Sequence, residues 1–345
     1  MSKQESGMWY YEYLDQIVNL EFKNKPAQQG GTQLRYRTAR EQQGGEALCG
    51  QIAQALMPRL SGSTVILVTG TGNPEWLPHG ETDGPSGVAV LARCLGALGV
   101  RTCILSEARF LPGVRASVQA AGVPLLQEAA WLKRTNAALC LEFPTGADAA
   151  MPFIDDLMAR LPKVSAAFFI EKPGPGREGR FHNSSGKPKD SDWVAHAHLL
   201  AGAAREHGAL TIGVGDGGNE IGFGLIARAL VAGASQRYAC DCACKHGLLD
   251  DTDLDFLFPA SVSNWGAYAI SAALALASRR FLLLPRWEEV AHSISAPIAF
   301  GAFDGYSGLA VPTVDGTSSD ANRSVYGLIN EVLRLAQEAS SSPHC

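Results

Sequence analysis

Continuous apolar runs alternate with amphipathic segments along most of the chain. TVILVTG, at residues 64–70, is apolar through its middle, and VRTCILSE follows it after a segment with helical spacing, VAVLARCLGALG. Apolar runs of this length are typical of parallel strands that are buried on both faces. Three further runs repeat the pattern, namely AALCLEFP, VSAAFFIEKP and ALTIGVG. The order strand, loop, helix, strand predicts a doubly wound, mostly parallel, Rossmann-like α/β sheet with helices on both faces.

The two ends of the chain fall outside this alternation. Residues from Glu5 to Phe22, and the run ALCGQIAQALMPRL that ends near Leu60, have helical apolar spacing. The polar, glycine-rich stretch between them, NKPAQQGGTQLRYRTAREQQGG, predicts a connector. We therefore expect three parts: an N-terminal helical extension over 1–60, an α/β domain over 61–338 and a disordered tail over 339–345.

Composition and charge limit the classes of molecule that such a protein is expected to bind. The 345 residues include 29 basic and 34 acidic side chains, a formal charge of −5, with no block of either sign. This balance does not give the basic surface of a nucleic-acid-binding protein. No stretch approaches the ~18 apolar residues of a membrane span, and the N-terminus lacks a signal or transit pattern. We expect a cytoplasmic protein with a small-molecule substrate, and the sequence is compatible with a homo-oligomer.

The eight cysteines indicate a reducing compartment. Most lie in apolar runs such as LARCLGALG and TCIL, which is typical of buried, reduced thiols. CDCACKH contains the soft ligands of a zinc site, Cys240, Cys242, Cys244 and His246. In an extended chain, however, alternate residues lie ~6.6 Å apart and cannot close a tetrahedron. We therefore expect ordinary thiols that line a strand.

Unusual polar residues concentrate directly after the predicted strands, where open α/β sheets bind their ligands. The loop after VILV contains HGETDGPSG, in which His79, Glu81 and Asp83 alternate and would project to one side of an extended loop. This cluster suits magnesium or manganese better than zinc. Asp83 is also well placed to cap the helix that follows.

The loop after ALTI combines glycines with two carboxylates. Its sequence is GVGDGGNEIGFG, at residues 213–224. Glycine lets the backbone approach a ligand, while Asp216 and Glu220 supply charge and Asn219 an amide. The carboxylates would repel a bare phosphate unless a divalent cation bridged them, and the spacing matches no phosphate-binding loop. A simple turn, with Asp216 as a helix cap, is the alternative interpretation.

Histidines provide candidate general bases. His182 is the better placed, because it lies in the loop GRFHN after a strand. His196 and His198 belong to WVAHAHLLAGAAREHG, which predicts a helix. Residues two apart on a helix point to different faces, so these two rings are not expected to form a pair.

Six segments, taken in order, resemble the D-glutamate cyclase family, in particular its C-terminal cyclase-like domain. They are ETDGP, IEKPGPGREGRFHN, GVGDGGNEIGFG, SNWGAYA, GAFDG and TVDG. The resemblance spans Thr64 to Gly316 and implies a Rossmann-like domain that converts D-glutamate to 5-oxo-D-proline with loss of water. Family members in animals are mitochondrial, are activated by manganese and carry a large hydratase-like domain upstream. Here about 60 residues precede the first core strand, which favours a stand-alone bacterial protein.

The implied reaction suggests roles for the loop residues. Cyclisation requires that an ammonium lose protons, that a carboxylate become electrophilic and that an oxygen leave as water. A divalent cation, Mn²⁺ or Mg²⁺, would polarise that carboxylate. Its candidate ligands are Asp216, Glu220, Glu81 and Asp83. The candidate catalytic residues are Asp216, Glu220, His182 and Asp83. The candidate contacts to an acidic amino-acid substrate are Gly215, Gly217, Gly218, Asn219, Asn264, Asp304 and Lys172.

A non-catalytic module that binds a small anion or a nucleotide is the alternative function. The missing phosphate-loop lysine and the absence of an early glycine fingerprint disfavour a nucleotide. Turnover that depends on a metal would separate the two hypotheses.

Overall fold

A parallel sheet lies at the centre of the computed structural model, which describes residues 3–22 and 30–341. The six strands are β1 (Thr64–Thr69), β2 (Arg101–Ser106), β3 (Ala138–Glu142), β4 (Val164–Ile170), β5 (Leu210–Gly215) and β6 (Phe256–Pro259). Their order is β3-β2-β1-β4-β5-β6, and every neighbouring pair is parallel. The predicted doubly wound sheet is confirmed. The short strand β6 is an addition that the apolar pattern did not predict.

Helices cover both faces of the sheet. They are α1 (Lys3–Val18), α2 (Gly31–Gln42), α3 (Leu48–Leu56), α4 (Pro85–Ala97), α5 (Leu111–Ala120), α6 (Glu128–Trp131), α7 (Ala147–Arg160), α8 (Leu199–Glu206), α9 (Gly224–Ala234), α10 (Ser263–Ser278), α11 (Trp287–Ser295) and α12 (Ser319–Ser341). None of these described helices combines the length and the apolar composition that crossing a membrane requires.

The two faces of the sheet bury two separate apolar clusters. Val65 and Leu67 of β1 pack on the face covered by α4 and α10, while Ile66 and Val68 pack on the face covered by α7 and α8. Because side chains alternate along a strand, burial on both faces requires an uninterrupted apolar run. This requirement explains the composition of TVILVTG.

The stretch predicted as a connector contains a helix, which corrects that part of the prediction. Helix α2 has no strong apolar stripe, and polar contacts hold it in place. Tyr36 donates to Asp15 at 2.9 Å, and Arg40 pairs with Glu12 at 2.6 Å. A polar helix of this kind is stabilised by its surroundings, so its residue pattern alone does not indicate a helix. Residues 23–29 of the connector lie outside the described part of the chain.

The helix predicted across WVAHAHLLAGAAREHG is shorter than expected, because α8 begins only at Leu199. His196 and His198 precede it in irregular chain, where their ring centroids lie 5.5 Å apart and both rings contact Phe181. The prediction that the two rings stay apart is therefore wrong, since helical spacing does not apply outside the helix. At the other end of the chain, α12 includes residues 339–341 of the predicted tail, and 342–345 lie outside the description.

Asp15 joins the three N-terminal helices. Its fully buried carboxylate accepts hydrogen bonds from the amides of Leu48 at 2.6 Å and Cys49 at 3.2 Å, at the first turn of α3. It also accepts the Tyr36 hydroxyl of α2. Amides in the first turn of a helix have no partner within the helix, so a carboxylate there satisfies them and interacts favourably with the helix dipole.

Replacing Asp15 by alanine should lower the free energy of unfolding by roughly 3 kcal/mol, because two buried amides and a hydroxyl lose their acceptor. Urea denaturation followed by circular dichroism measures the change. Asp155→Ala, on the exposed side of α7, is the matched control and should leave the urea midpoint unchanged. Equal midpoints for the two variants would contradict this role for Asp15.

Candidate active site

A polar cavity of about 310 Å³ lies at the carboxyl edge of the sheet. Its walls come from four segments: 71–83 after β1, 171–189 after β4, 216–220 after β5, and 305–315. Chain connectivity reverses between β1 and β4, which leaves a crevice between their loops. The cavity therefore occupies the position where doubly wound sheets bind ligands.

Three buried carboxylates meet in this cavity. Asp83, Glu171 and Asp216 each follow a different strand, and each offers an oxygen within 4.8 Å of the other two. Their exposed fractions are only 3%, 7% and 6%. Asp83 and Asp216 were predicted from sequence, and Glu171 was missed.

Negative charge dominates the electrostatics of the cavity. Burial raises the pKa of Glu171 well above its ordinary value, and the nearby charges of Asp216 and Glu220 raise it further. Burial, with Asp83 and Asp315 as the next causes, likewise raises the pKa of Glu81. Crowded carboxylates repel one another unless a cation or a proton lies between them. The buried oxygen ligands therefore fit a hard divalent cation such as Mn²⁺ or Mg²⁺.

Two helices cap each other across the floor of the site. The Asp83 carboxylate accepts from the amides of Ser263 and Asn264, at the start of α10, at 2.9 and 2.8 Å. In return, the Asn264 side-chain oxygen accepts from the amides of Gly84 and Gly87, at the start of α4, at 3.0 and 2.6 Å. Asp83 thus caps α10; it also accepts from the Gly84 amide at 2.9 Å, but the N-cap position of α4 is Gly84 itself. The N-termini of both helices point towards the carboxylates, where their dipoles are favourable.

Glu171 adopts a backbone conformation that is rare for a residue with a side chain. It directly follows β4 with a φ of +48°, in the left-handed region. Its carboxylate accepts the Ser263 hydroxyl at 2.5 Å. Unfavourable backbone conformations of this kind concentrate at functional sites. The sequence signal was its position, an acidic residue at the end of an apolar run, and only the tertiary structure shows that it faces Asp83 and Asp216.

The glycine-rich loop binds its own carboxylate. Glu220 accepts hydrogen bonds from the amides of Gly217 and Gly218, the latter at 2.8 Å and with a φ of +111°. Helix α9 begins at Gly224, and the amides of Gly217 and Gly218 are already occupied by Glu220. The Asn219 side-chain oxygen lines the cavity, is buried and has no hydrogen-bond partner among the described residues. It is therefore available to a ligand.

Several predicted contacts lie outside the cavity. Gly215, Gly218, Asn264, Asp304, Lys172 and His182 are not among its lining residues. Asp304 is buried and instead accepts hydrogen bonds from Tyr306, Ser307, Thr313 and Gly316, which fixes the loop that forms one wall. Asn264 uses its side chain for the helix cap.

Lys172, predicted to contact the substrate, and His182, predicted to act as a general base, have other partners. Lys172 pairs with Glu107 and donates to the Gly70 carbonyl at 3.0 Å, and burial lowers its pKa. The ring of His182 contacts Cys242, in a segment that forms a turn rather than the expected strand. These contacts separate both residues from the carboxylates, so neither is placed to act on a molecule in the cavity.

Lys187 and Lys189 are the cationic residues that line the cavity within the described chain. Lys189 donates to the Thr71 hydroxyl at 2.7 Å and to the Gly72 carbonyl at 3.1 Å. Burial lowers its pKa to about 8, an effect that the negative charge of Glu81 partly offsets. Sequence reasoning missed both lysines because they lie well beyond the end of β4.

Replacing Asn264 by alanine should lower the free energy of unfolding by roughly 2 kcal/mol, since the buried Gly87 amide and the Thr82 carbonyl lose their partner, while the Gly84 amide keeps Asp83 as an acceptor. Urea denaturation measures the change. Ser271→Ala is the control on the same helix, because this buried hydroxyl caps no helix N-terminus: it donates to the Ala267 carbonyl of its own helix and contacts the Cys94 thiol. Its effect should be much smaller, and equal losses would contradict the cross-capping role.

The site can now be compared with known proteins. Residues 32–330 match the family model described as D-glutamate cyclase-like, C-terminal, which includes all six strands and every segment of the cavity. The human protein "D-glutamate cyclase, mitochondrial" is 29% identical over 244 residues, which is 67% of this chain and 36% of the human protein. The chain thus spans about a third of the length of that relative. It belongs to the D-glutamate cyclase-like family.

Proposed function

We propose that this chain is a D-glutamate cyclase-like lyase that converts D-glutamate to 5-oxo-D-proline with loss of water, assisted by a divalent cation. The observation that carries the proposal is the meeting of Asp83, Glu171 and Asp216, buried, at the switch point of the sheet. Membership of the family supports a cyclase-type reaction. Among residues 3–22 and 30–341, six carboxylates and two lysines line the cavity, a balance that disfavours a module for a bare anion or a nucleotide.

The same three carboxylates are the proposed metal ligands. A divalent cation bound there supplies a Lewis acid for the γ-carboxylate of the substrate. Glu81 and Glu220, which the sequence also suggested as ligands, have other roles in this proposal. Glu220 is already engaged by the amides of its own loop, and its charge holds that loop in shape.

The substrate needs a partner for each of its charged groups. Lys189 offers a positive charge for a carboxylate of the substrate, and its hydrogen bonds to Thr71 and Gly72 orient its ammonium group. The unpartnered oxygen of Asn219 can accept a hydrogen bond from the substrate's amino group. Contacts to both groups would hold the chain folded, with the amine close to the γ-carboxylate, which is the main requirement for ring closure.

Proton transfer within the cavity balances the reaction. The substrate ammonium loses two protons as the amide forms, and the leaving oxygen takes up two protons to become water. Glu81 is the proposed carrier, because burial and the charge of Asp83 raise its pKa and so favour a carboxyl group that can take up a proton and pass it on. This assignment replaces His182, which lies outside the cavity.

The purified protein should form 5-oxoproline from D-glutamate and not from L-glutamate when manganese is present, and a chelator should stop the reaction. Asp216→Asn should lower kcat/KM by about 100-fold or more, because it removes one metal ligand. Chiral chromatography of the product gives the rates. Asp155→Asn, far from the cavity, is the matched control. Failure to form product from either enantiomer with manganese or magnesium would contradict the proposal.

The affinity for D-glutamate should weaken above about pH 8, where Lys189 loses its charge. Because its ammonium is charged only below this pKa, KM should rise roughly tenfold per pH unit above it. Steady-state kinetics between about pH 7 and pH 9 measure the rise. Lys189→Arg keeps the charge across this range, so its KM should stay nearly flat. Parallel profiles for the two proteins would exclude Lys189 as the carboxylate partner.

A further inference from the structure

Three cysteines and a histidine converge away from the cavity. The Sγ atom of Cys240 lies 3.5 Å from that of Cys242 and 3.4 Å from that of Cys244, and the last two are 2.8 Å apart. The Nε2 atom of His182 lies 3.2 Å from the Cys242 sulfur and 3.9 Å from the Cys244 sulfur. All four ligand atoms lie within 4.8 Å of one another.

Four of these separations, at 3.2–3.9 Å, are close to those of a tetrahedral metal site, and the Cys242–Cys244 distance of 2.8 Å would widen by about 1 Å around an ion. Zinc bound by thiolates at about 2.3 Å places neighbouring ligand atoms about 3.8 Å apart, and three cysteines with one histidine form a common structural zinc site. In an extended chain, Cys240, Cys242 and Cys244 could not close a tetrahedron around one ion. In the structure this segment turns, with Lys245 at a φ of +55°. His246 pairs with Glu178 at 2.7 Å, and His182 takes the fourth position.

The burial of His182 supports a ligand role. The ring is 1% exposed, and sulfur atoms are the only hydrogen-bond partners of Nε2 among the described residues. Buried polar groups in proteins normally have a partner, and a thiol is a weak one. A metal ion would satisfy this nitrogen and the three sulfurs together.

The cysteine–histidine cluster lies beside the hairpin that carries Lys187 and Lys189. His182 and Pro188 pair across a small hairpin that the buried Phe181 anchors at its base, whereas the tip, NSSGK at 183–187, contains no apolar residue that could fix it in a core. Lys187 and Lys189 reach the cavity from this hairpin. Its tip touches the cysteine segment, where the Asp241 amide donates to the Gly186 carbonyl at 3.0 Å.

We propose that Cys240, Cys242, Cys244 and His182 bind a structural zinc ion that fastens the hairpin carrying Lys187 and Lys189 to the segment after α9. The ion takes no part in the chemistry of the carboxylates, whose hard oxygen ligands suit a different metal. Binding needs no oxidant or reductant, since three thiols release their protons as zinc–sulfur bonds form.

Metal analysis of the purified protein tests this proposal. After treatment with EDTA, which removes weakly held ions, the wild-type chain should retain one zinc ion, and Asp216→Asn should retain as much. The double variant Cys242→Ser, Cys244→Ser should retain about tenfold less zinc, because two of four ligands are lost. Cys140→Ala, which removes a thiol elsewhere, is the matched control and should keep its zinc.

Two further measurements do not depend on the folding of a variant. Cobalt in place of zinc should give the visible absorption of a tetrahedral thiolate site, and three thiols should react with a disulfide reagent only after the metal is released. A third measurement uses the double variant, in which hydrogen exchange at the amides of residues 183–189 should be faster than in the wild-type chain. Wild-type protein without zinc, zinc retained by the double variant, or a disulfide between Cys242 and Cys244 would overturn the proposal. All of these readouts are independent of cyclase activity.

Discussion

Buried negative charge at the carboxyl edge of the sheet is the constraint on which the rest of this structure depends. A carboxylate removed from water needs hydrogen-bond donors or a cation to offset its lost hydration. The chain supplies the donors locally: amides of α10 for Asp83, the Ser263 hydroxyl for Glu171 and the glycine-loop amides for Glu220. Burial, and after it the like charges that remain, raise the pKa values of Glu171 and Glu81. A site arranged in this way favours a divalent cation.

The exchange of caps between α4 and α10 couples stability to the site. Each helix satisfies its first amides with a side chain from the other, so neither N-terminus is complete alone. Asp83 serves both the cap and the carboxylate cluster. A change at this residue should therefore affect folding and chemistry together, which is the usual cost of placing a function on structural groups.

The two groups of side chains proposed to bind metal ions both include a residue of the segment after β4. Glu171 begins the segment after β4 with hard oxygen atoms, and His182 lies further along it beside three soft sulfur atoms. The lysines that line the cavity follow directly after the histidine. Phe181 is a buried apolar anchor in this segment, and beyond it the chain is polar, so hydrogen bonds such as those of Lys189 to Thr71 and Gly72 fix its path.

The sequence alone determined the sheet, because burial on both faces forces apolar runs that are visible without coordinates. It also located Asp83 and Asp216, since the loops that follow parallel strands meet at one edge. Only the tertiary structure decided which side chains meet there. Glu171 lies in the site with a left-handed backbone conformation that the sequence does not reveal. The side chains of Asn264 and Asp304 instead accept hydrogen bonds from the amides of a helix N-terminus and of a loop. His182 contacts a cysteine-containing turn about 60 residues further along the chain instead of the predicted site. Contacts between loops depend on the path of the chain, which residue spacing does not encode.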